Sequence, residues 1–190
     1  MKLMMVTSNI NKAREVAEFF NGFLDVTHVA LEIPELRSDD VEVISRQKAQ
    51  YAYDQLLTPL IVDDTSFSID ALKGFPGPYA AYVLDSIGNT GILKLMKDVE
   101  NRNAHFTTAI AFADECGIRH FSGTIHGRII TDPRGSGGFG YDPIFDVDGR
   151  TLAELTLEEK NRISHRAMAL TAFRDWFMQE YRPSKTDTNG

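Results

Sequence analysis

Four stretches of this 190-residue chain carry residue types that could do chemistry together. Thr7-Ser8-Asn9, followed by Lys12, sets small polar groups and a cation where an apolar run gives way to helical spacing. A helix N-terminus there, with free N–H groups and a favourable dipole, suits a phosphate. A plain helix cap beside a solvated lysine accounts for the same residues. Asp63-Asp64-Thr65-Ser66 follows the apolar run Leu60-Ile61-Val62. Two carboxylates are costly to bury without a positive partner. A hard divalent cation is one such partner, and it can orient a phosphate and activate water. A turn capped by aspartate is the alternative. Glu35, after Pro34, is a candidate further ligand that spacing alone does not establish.

The third stretch, Gly135-Ser136-Gly137-Gly138-Phe139-Gly140, matches the G-x-G-x-x-G string. A dinucleotide site needs a helix to open there. Tyr141-Asp142-Pro143 follows instead, and the proline pushes Asp142 towards extended backbone. The Gly-Lys-Ser/Thr ending of a P-loop is also missing. What remains is a loop presenting Phe139, Tyr141 and Asp142. An aromatic face can stack on a planar base, and a carboxylate can read N–H donors on its edge. A hairpin loop with buried aromatics fits equally. The fourth stretch, residues 158–166, holds Lys160, His165 and Arg166, donors suited to a phosphate or a base carbonyl. A solvated helix start is its plainer reading.

The elements that must position these groups alternate between strand and helix. Residues 2–6 read as a buried strand, a helix runs from Ala13 to a stop at Gly22, and residues 26–31 read as a second strand. A helix with an acidic first turn is expected over 39–57, a short strand over 60–62, a rigid loop at 74–78 and a helix over 88–97. Residues 106–113 and 118–130 form a long antiparallel hairpin around Cys116-Gly117. Thr156 and Glu159 make a capping-box pattern. Beyond it, Ile163, Ala167, Leu170, Phe173, Phe177 and Tyr181 share one face of a last helix. Helices early and a hairpin later indicate a mixed α/β sheet.

Composition narrows the function classes. Hydrophobic residues at 43% and charged residues at 25% are ordinary for a soluble globular protein and exclude disorder as the main state. The formal net charge is −7, which argues against a nucleic-acid partner but not against a small anion in a local basic pocket. The lone cysteine, Cys116, cannot form an internal disulfide, and a cytoplasmic location is expected. The apolar run near the N-terminus is too short for a signal peptide or a membrane span. His28, His105, His120 and His126 show no metal-ligand spacing.

The order of the signals is more specific than any one of them. Thr7-Ser8-Asn9-x-x-Lys12-x-x-Glu15, Asp63-Asp64-Thr65, Gly74-Phe75-Pro76-Gly77-Pro78-Tyr79, Gly138-Phe139-Gly140-Tyr141-Asp142-Pro143-Ile144-Phe145 and Glu159-Lys160-Asn161-x-x-Ser164-His165-Arg166 together resemble the inosine triphosphate pyrophosphatase (Ham1-like) family. The resemblance runs from about residue 3 to about residue 177. It implies an elongated α/β fold, a mixed β-sheet flanked by helices, with two lobes around a central nucleotide cleft. It implies one such domain, here expected over residues 1–182, and a homodimer; residues 183–190, polar in composition, read as a frayed tail. The implied reaction is Mg²⁺-dependent hydrolysis of ITP, dITP and XTP to monophosphate and pyrophosphate, keeping these nucleotides out of nucleic acids.

By position, Thr7, Ser8, Asn9, Ile10, Asn11 and Lys12 would hold the triphosphate. Lys48 matches a lysine that reaches the phosphates in some members. Asp64 would ligate Mg²⁺ and act on water, with Glu35 as second ligand, and Thr65 would touch the substrate. Phe139, Gly140, Tyr141, Asp142, Lys160, His165 and Arg166 would bind the nucleotide and its base. Ala81 stands where some members carry a basic residue. A pyrophosphatase for modified pyrimidine nucleotides and a non-catalytic nucleotide sensor are the competing readings.

Overall fold

The computed structural model describes residues 2–34 and 37–181. The chain opens with strand β1 (Lys2–Val6), helix α1 (Ile10–Phe19), strand β2 (Asp25–Val29) and helix α2 (Val41–Leu56). Strand β3 (Leu60–Ile69), the short strand β4 (Pro76–Gly77) and helix α3 (Ala80–Leu95) follow. The hairpin β5 (Asn103–Asp114) and β6 (Gly117–Ile129) leads to short strands β7 (Phe145–Val147) and β8 (Arg150–Thr151), then to helices α4 (Leu157–Ile163) and α5 (His165–Gln179). The strands form one open sheet in the order β2-β1-β3-β5-β6-β7-β8, with β4 paired to β3. β1 pairs in parallel with β2 and β3; the remaining pairs are antiparallel, so the sheet is mixed.

Side chains alternate across the long strands. On one face, Ile61 of β3 and Ile110 and Phe112 of β5 pack with Val16 of α1, its C-cap Phe20, and Leu170 and Phe173 of α5. On the other face, Leu60, Val62, Ala111 and Ala113 pack with Ala49 and Ala52 of α2. At the far end of the same strands a third cluster gathers Phe67, Ile69, Phe106 and Ile125 with Val83 and Ile92 of α3. The first and third clusters use the same strand parity. Between them, on that face, lie Asp63, Thr65 and Thr108. A polar gap thus interrupts the apolar stripe midway along β3 and β5.

Three element boundaries depart from the sequence expectations. The strand expected over 60–62 runs on to Ile69, through both aspartates. An unexpected helical segment over residues 80–87 precedes the helix expected from residue 88, and the two make up α3. Gly88, at φ 63° and ψ −175°, breaks the helical backbone, so the expected helix follows it as the second of two segments. The last helix is two, divided at Ser164, whose side chain accepts from the N–H of Ala167 and caps α5. The tail over 183–190 lies outside the described residues. No helix among the described residues is long and apolar enough to cross a membrane.

Candidate active site

The gap opens into a cleft of about 980 Å³. Thr7, Ser8, Asn9, Lys12, Lys48, Asp64, Thr65, Phe139, Gly140, Tyr141, Asp142, Lys160, His165 and Arg166 all line it. Residues from both ends of the sequence therefore meet at one place. Ile10 and Asn11 do not line it: Ile10 is exposed on the first turn of α1, and the Asn11 N–H faces the cap. Glu35 lies outside the described residues.

At the start of α1, Asn9 is the N-cap; its Oδ1 accepts from the N–H groups of Asn11 (3.0 Å) and Lys12 (3.3 Å). Those two N–H groups are engaged by the cap, which narrows the free-amide site expected from the sequence. Lys12 Nζ instead turns to β3, 3.1 Å from the Asp63 carbonyl and 2.9 Å from Asp63 Oδ1.

Asp63 and Asp64 are adjacent on β3 and face opposite sides of the sheet. Asp63 looks into the polar gap and meets Lys12 and, through Oδ2, Arg166 Nε at 2.6 Å. Burial alone would raise its carboxyl; Arg166 and Lys12 outweigh burial and hold it well below the usual carboxylate range. Asp64 looks towards α2, where Lys48 Nζ sits 2.6 Å from Oδ1. Its Oδ2 is buried without a hydrogen-bond partner among the described residues. Burial pushes this carboxyl up despite the pull of Lys12 and Lys48.

The α4–α5 junction delivers Lys160, His165 and Arg166 to the gap. Gly123 of β6 permits the approach: a Cβ there would lie 2.3 Å from the His165 carbonyl oxygen. Arg166 is 2% exposed and bonds Glu15 as well as Asp63. Lys160, 3% exposed, sits between Glu15 Oε1 (2.6 Å) and Asp142 Oδ2 (2.7 Å). Glu15 is thus the hub that joins the two cations. It belongs to the first motif, which by itself assigns it no role. Its i+3 spacing from Lys12 was the available signal, since both fall on one helix face.

His165 Nδ1 is 2.6 Å from Thr108 Oγ1, and its ring stacks on Phe106 at 4.9 Å. Burial, with Arg166 and Lys160 nearby, pushes this imidazole well below its ordinary value of 6.5, so it is neutral at pH 7. Thr108, which also meets Thr65 Oγ1 at 2.8 Å, had no sequence signal.

The glycine loop contributes two aromatics in different ways. Tyr141 is buried, stacks on Phe67 at 4.5 Å and donates its hydroxyl to the Ala80 carbonyl. Phe139 carries Lys160 Nζ over its ring at 4.7 Å and Arg166 Cζ at 5.7 Å. Its N–H donates to Asp142 Oδ2 at 2.7 Å. Gly138, at φ +66°, leaves room for that carboxylate, since a Cβ would stand 2.1 Å from Asp142 Oδ2.

The unpartnered Asp64 oxygen is the feature that fits a hard cation. Such ions are commonly held by one or two carboxylates and completed by water and phosphate oxygens. Among the described residues no group of three His, Cys, Asp or Glu side chains could hold a metal.

Comparison with known proteins agrees with this geometry. The model of the Ham1 family matches residues 3–176. A protein of Methanopyrus kandleri named dITP/XTP pyrophosphatase is 46% identical, over 93% of this chain and 96% of that one. A protein of Trypanosoma cruzi named inosine triphosphate pyrophosphatase 2 is 44% identical, over 93% and 92%. The solved Ham1 protein of Staphylococcus aureus superposes with a TM-score of 0.82 at 26% identity, covering 95% of this chain and all of that one. With a mixed sheet, a polar cleft and a family match along nearly its whole length, this chain belongs to the Ham1 family.

Proposed function

We propose that this chain hydrolyses non-canonical purine nucleoside triphosphates, ITP, dITP and XTP, to the monophosphate and pyrophosphate, and that it does so with Mg²⁺. The observation that carries the reading is one cleft holding Asp64, with a free buried oxygen, beside a cluster of buried cations around Phe139. The names of its relatives point to the same substrates.

The roles divide along the cleft. Thr7, Ser8, Asn9, Lys12 and Lys48 take the triphosphate, and Thr65 touches the substrate. Asp64, whose Oδ2 has no other partner among the described residues, would hold the ion and act on the attacking water, and Glu35 would be a further ligand. Bound there, the ion supplies charge neutralisation and a water of lowered pKa. Water oxygen joins phosphorus, the α–β bridge breaks, and pyrophosphate leaves. Phe139, Gly140, Tyr141, Asp142, Lys160, His165 and Arg166 form the end that meets the base.

Donor arithmetic supports base selection. Lys160 has three N–H donors, two of which meet Glu15 and Asp142. Arg166 has five, three of which meet Glu15, Asp63 and Thr65. The remaining donors suit the 6-oxo group of hypoxanthine or xanthine. The 6-amine of adenine would leave them unpaired, which costs strongly in a buried site. The three apolar clusters at the two ends of the sheet fit two lobes of one domain. We read the enzyme as a cytoplasmic homodimer that does not bind nucleic acid.

The test is product analysis with ITP, GTP and ATP, each with and without Mg²⁺. IMP and pyrophosphate from ITP, dependent on Mg²⁺, are expected. IDP and phosphate would keep the cleft and refute the assigned bond. Preference for a modified pyrimidine nucleotide, or ITP binding without turnover, would refute the substrate class or the enzymatic reading.

A further inference from the structure

The cleft wall carries five side chains that are cationic at neutral pH: Lys12, Arg37, Lys48, Lys160 and Arg166. Four of them already meet carboxylates. Lys12 meets Asp63, Lys48 meets Asp64, Lys160 meets Glu15 and Asp142, and Arg166 meets Glu15 and Asp63. Arg37 differs. It is exposed, it lines the same cleft, and it makes no ion pair with any described residue. A ligand anion reaching Lys12 or Lys48 must compete with a carboxylate at 2.9 or 2.6 Å. At Arg37 it meets no competing carboxylate among the described residues.

Its place on the wall adds a second constraint. α2 begins four residues after Arg37, and Val41, Ile44 and Lys48 line the cleft at helical spacing. Val41 to Lys48 spans about 10 Å along the helix. Val41 and Ile44 are buried, Lys48 is partly buried against Asp64, and Arg37 is open to solvent. The row therefore runs from the Asp64 centre outwards to an uncommitted guanidinium.

We propose that Arg37 binds the outer phosphates of the triphosphate, the part that leaves as pyrophosphate. This rests on the nucleotide reading above. The planar guanidinium fork matches two phosphate oxygens and is always charged. Because Arg37 stands away from Asp64, it acts on affinity for the charged tail, not on the chemical step.

Arg37→Gln and Arg37→Lys test this, since an exposed side chain can be changed without disturbing packing. Binding of tripolyphosphate, measured by titration calorimetry on the whole protein, needs no turnover. Its Kd rises about tenfold in Arg37→Gln, the scale of one charged hydrogen bond, and partly recovers in Arg37→Lys. The gap narrows as salt is raised. Affinity for IMP stays within about twofold of wild type, as expected for a contact confined to the outer phosphates. In turnover, KM for ITP rises by a similar factor while kcat holds. Tripolyphosphate affinity unchanged in Arg37→Gln overturns the assignment. So does a loss of IMP affinity instead, or a fall in kcat at constant KM. A wild-type protein that binds tripolyphosphate yet leaves ITP intact would refute the nucleotide reading, and the tripolyphosphate titration would still decide the role of Arg37.

Discussion

Asp63 and Asp64 are the same residue type, one peptide bond apart, and the sheet gives them opposite tasks. Asp63 faces the gap between two apolar clusters and is fully enclosed by Arg166 and Lys12. Asp64 faces α2, has Lys48 on one oxygen and nothing among the described residues on the other. The first carboxylate is held ionised by its partners; the second is pushed by burial towards the neutral form. Neighbouring carboxylates are therefore not a pair by default. Strand alternation decides which one is free to meet a ligand and which one holds the ligand's surroundings in place.

The largest effect should come from Asp64. Asp64→Asn should lower ITP turnover by about 10²–10⁴-fold, as expected for loss of a group that acts on water. Thermal denaturation should show its fold intact. Asp63→Asn should do the reverse in kind. Removing one member of a buried, paired cluster costs about 3–5 kcal/mol, read as a lower urea midpoint, because Arg166 is left short of a partner. Equal stability of the two variants would erase the distinction between them.

The pH dependence sharpens the same contrast in metal-free protein. Asp63 has a folded pKa below its unfolded value of about 3.9, so its stabilisation is present above that pH and lost as pH falls towards the folded value. Asp64 is raised, so its contribution is present below about pH 3.9 and lost as pH rises through its folded value. Urea melts across pH should lose the acid-side slope in Asp63→Asn and the opposite slope in Asp64→Asn. His165 adds a separate decline below about pH 6.5, where the unfolded chain binds a proton that the folded one refuses.

The smallest expected difference lies between the two lysines. Lys12→Met removes a partner of a fully buried carboxylate and should cost about 1–3 kcal/mol. Lys48→Met removes a more exposed partner and should cost less than about 1 kcal/mol. Chemical denaturation of both variants in one buffer compares them directly.

Much of the site was legible because its residues cluster in short motifs that keep their order. Thr156 and Glu159 do form a capping box, and the hairpin around Cys116-Gly117 lies within a few residues of its expected bounds. The strand through Asp63 was not legible. Read locally, Asp63-Asp64-Thr65-Ser66 breaks an apolar run, and the strand reads as ending at Val62. It continues because Arg166, 103 residues away, and Lys12, 51 residues away, satisfy one face, while Lys48 meets the other. Glu15 was hidden for the same reason. An acid on an amphipathic helix reads as solvated until cations from the last two helices are folded over it. Gly88 marks a real boundary: its positive φ divides α3 where a helix start is expected, and the part not legible is the helical segment over residues 80–87 that precedes it.

The most direct test of this division is ITP product analysis on wild type and Asp64→Asn side by side, with Mg²⁺ present. The account predicts IMP and pyrophosphate from wild type, and almost none from a variant that is equally folded. Comparable hydrolysis by Asp64→Asn, or release of IDP and phosphate by wild type, would contradict it.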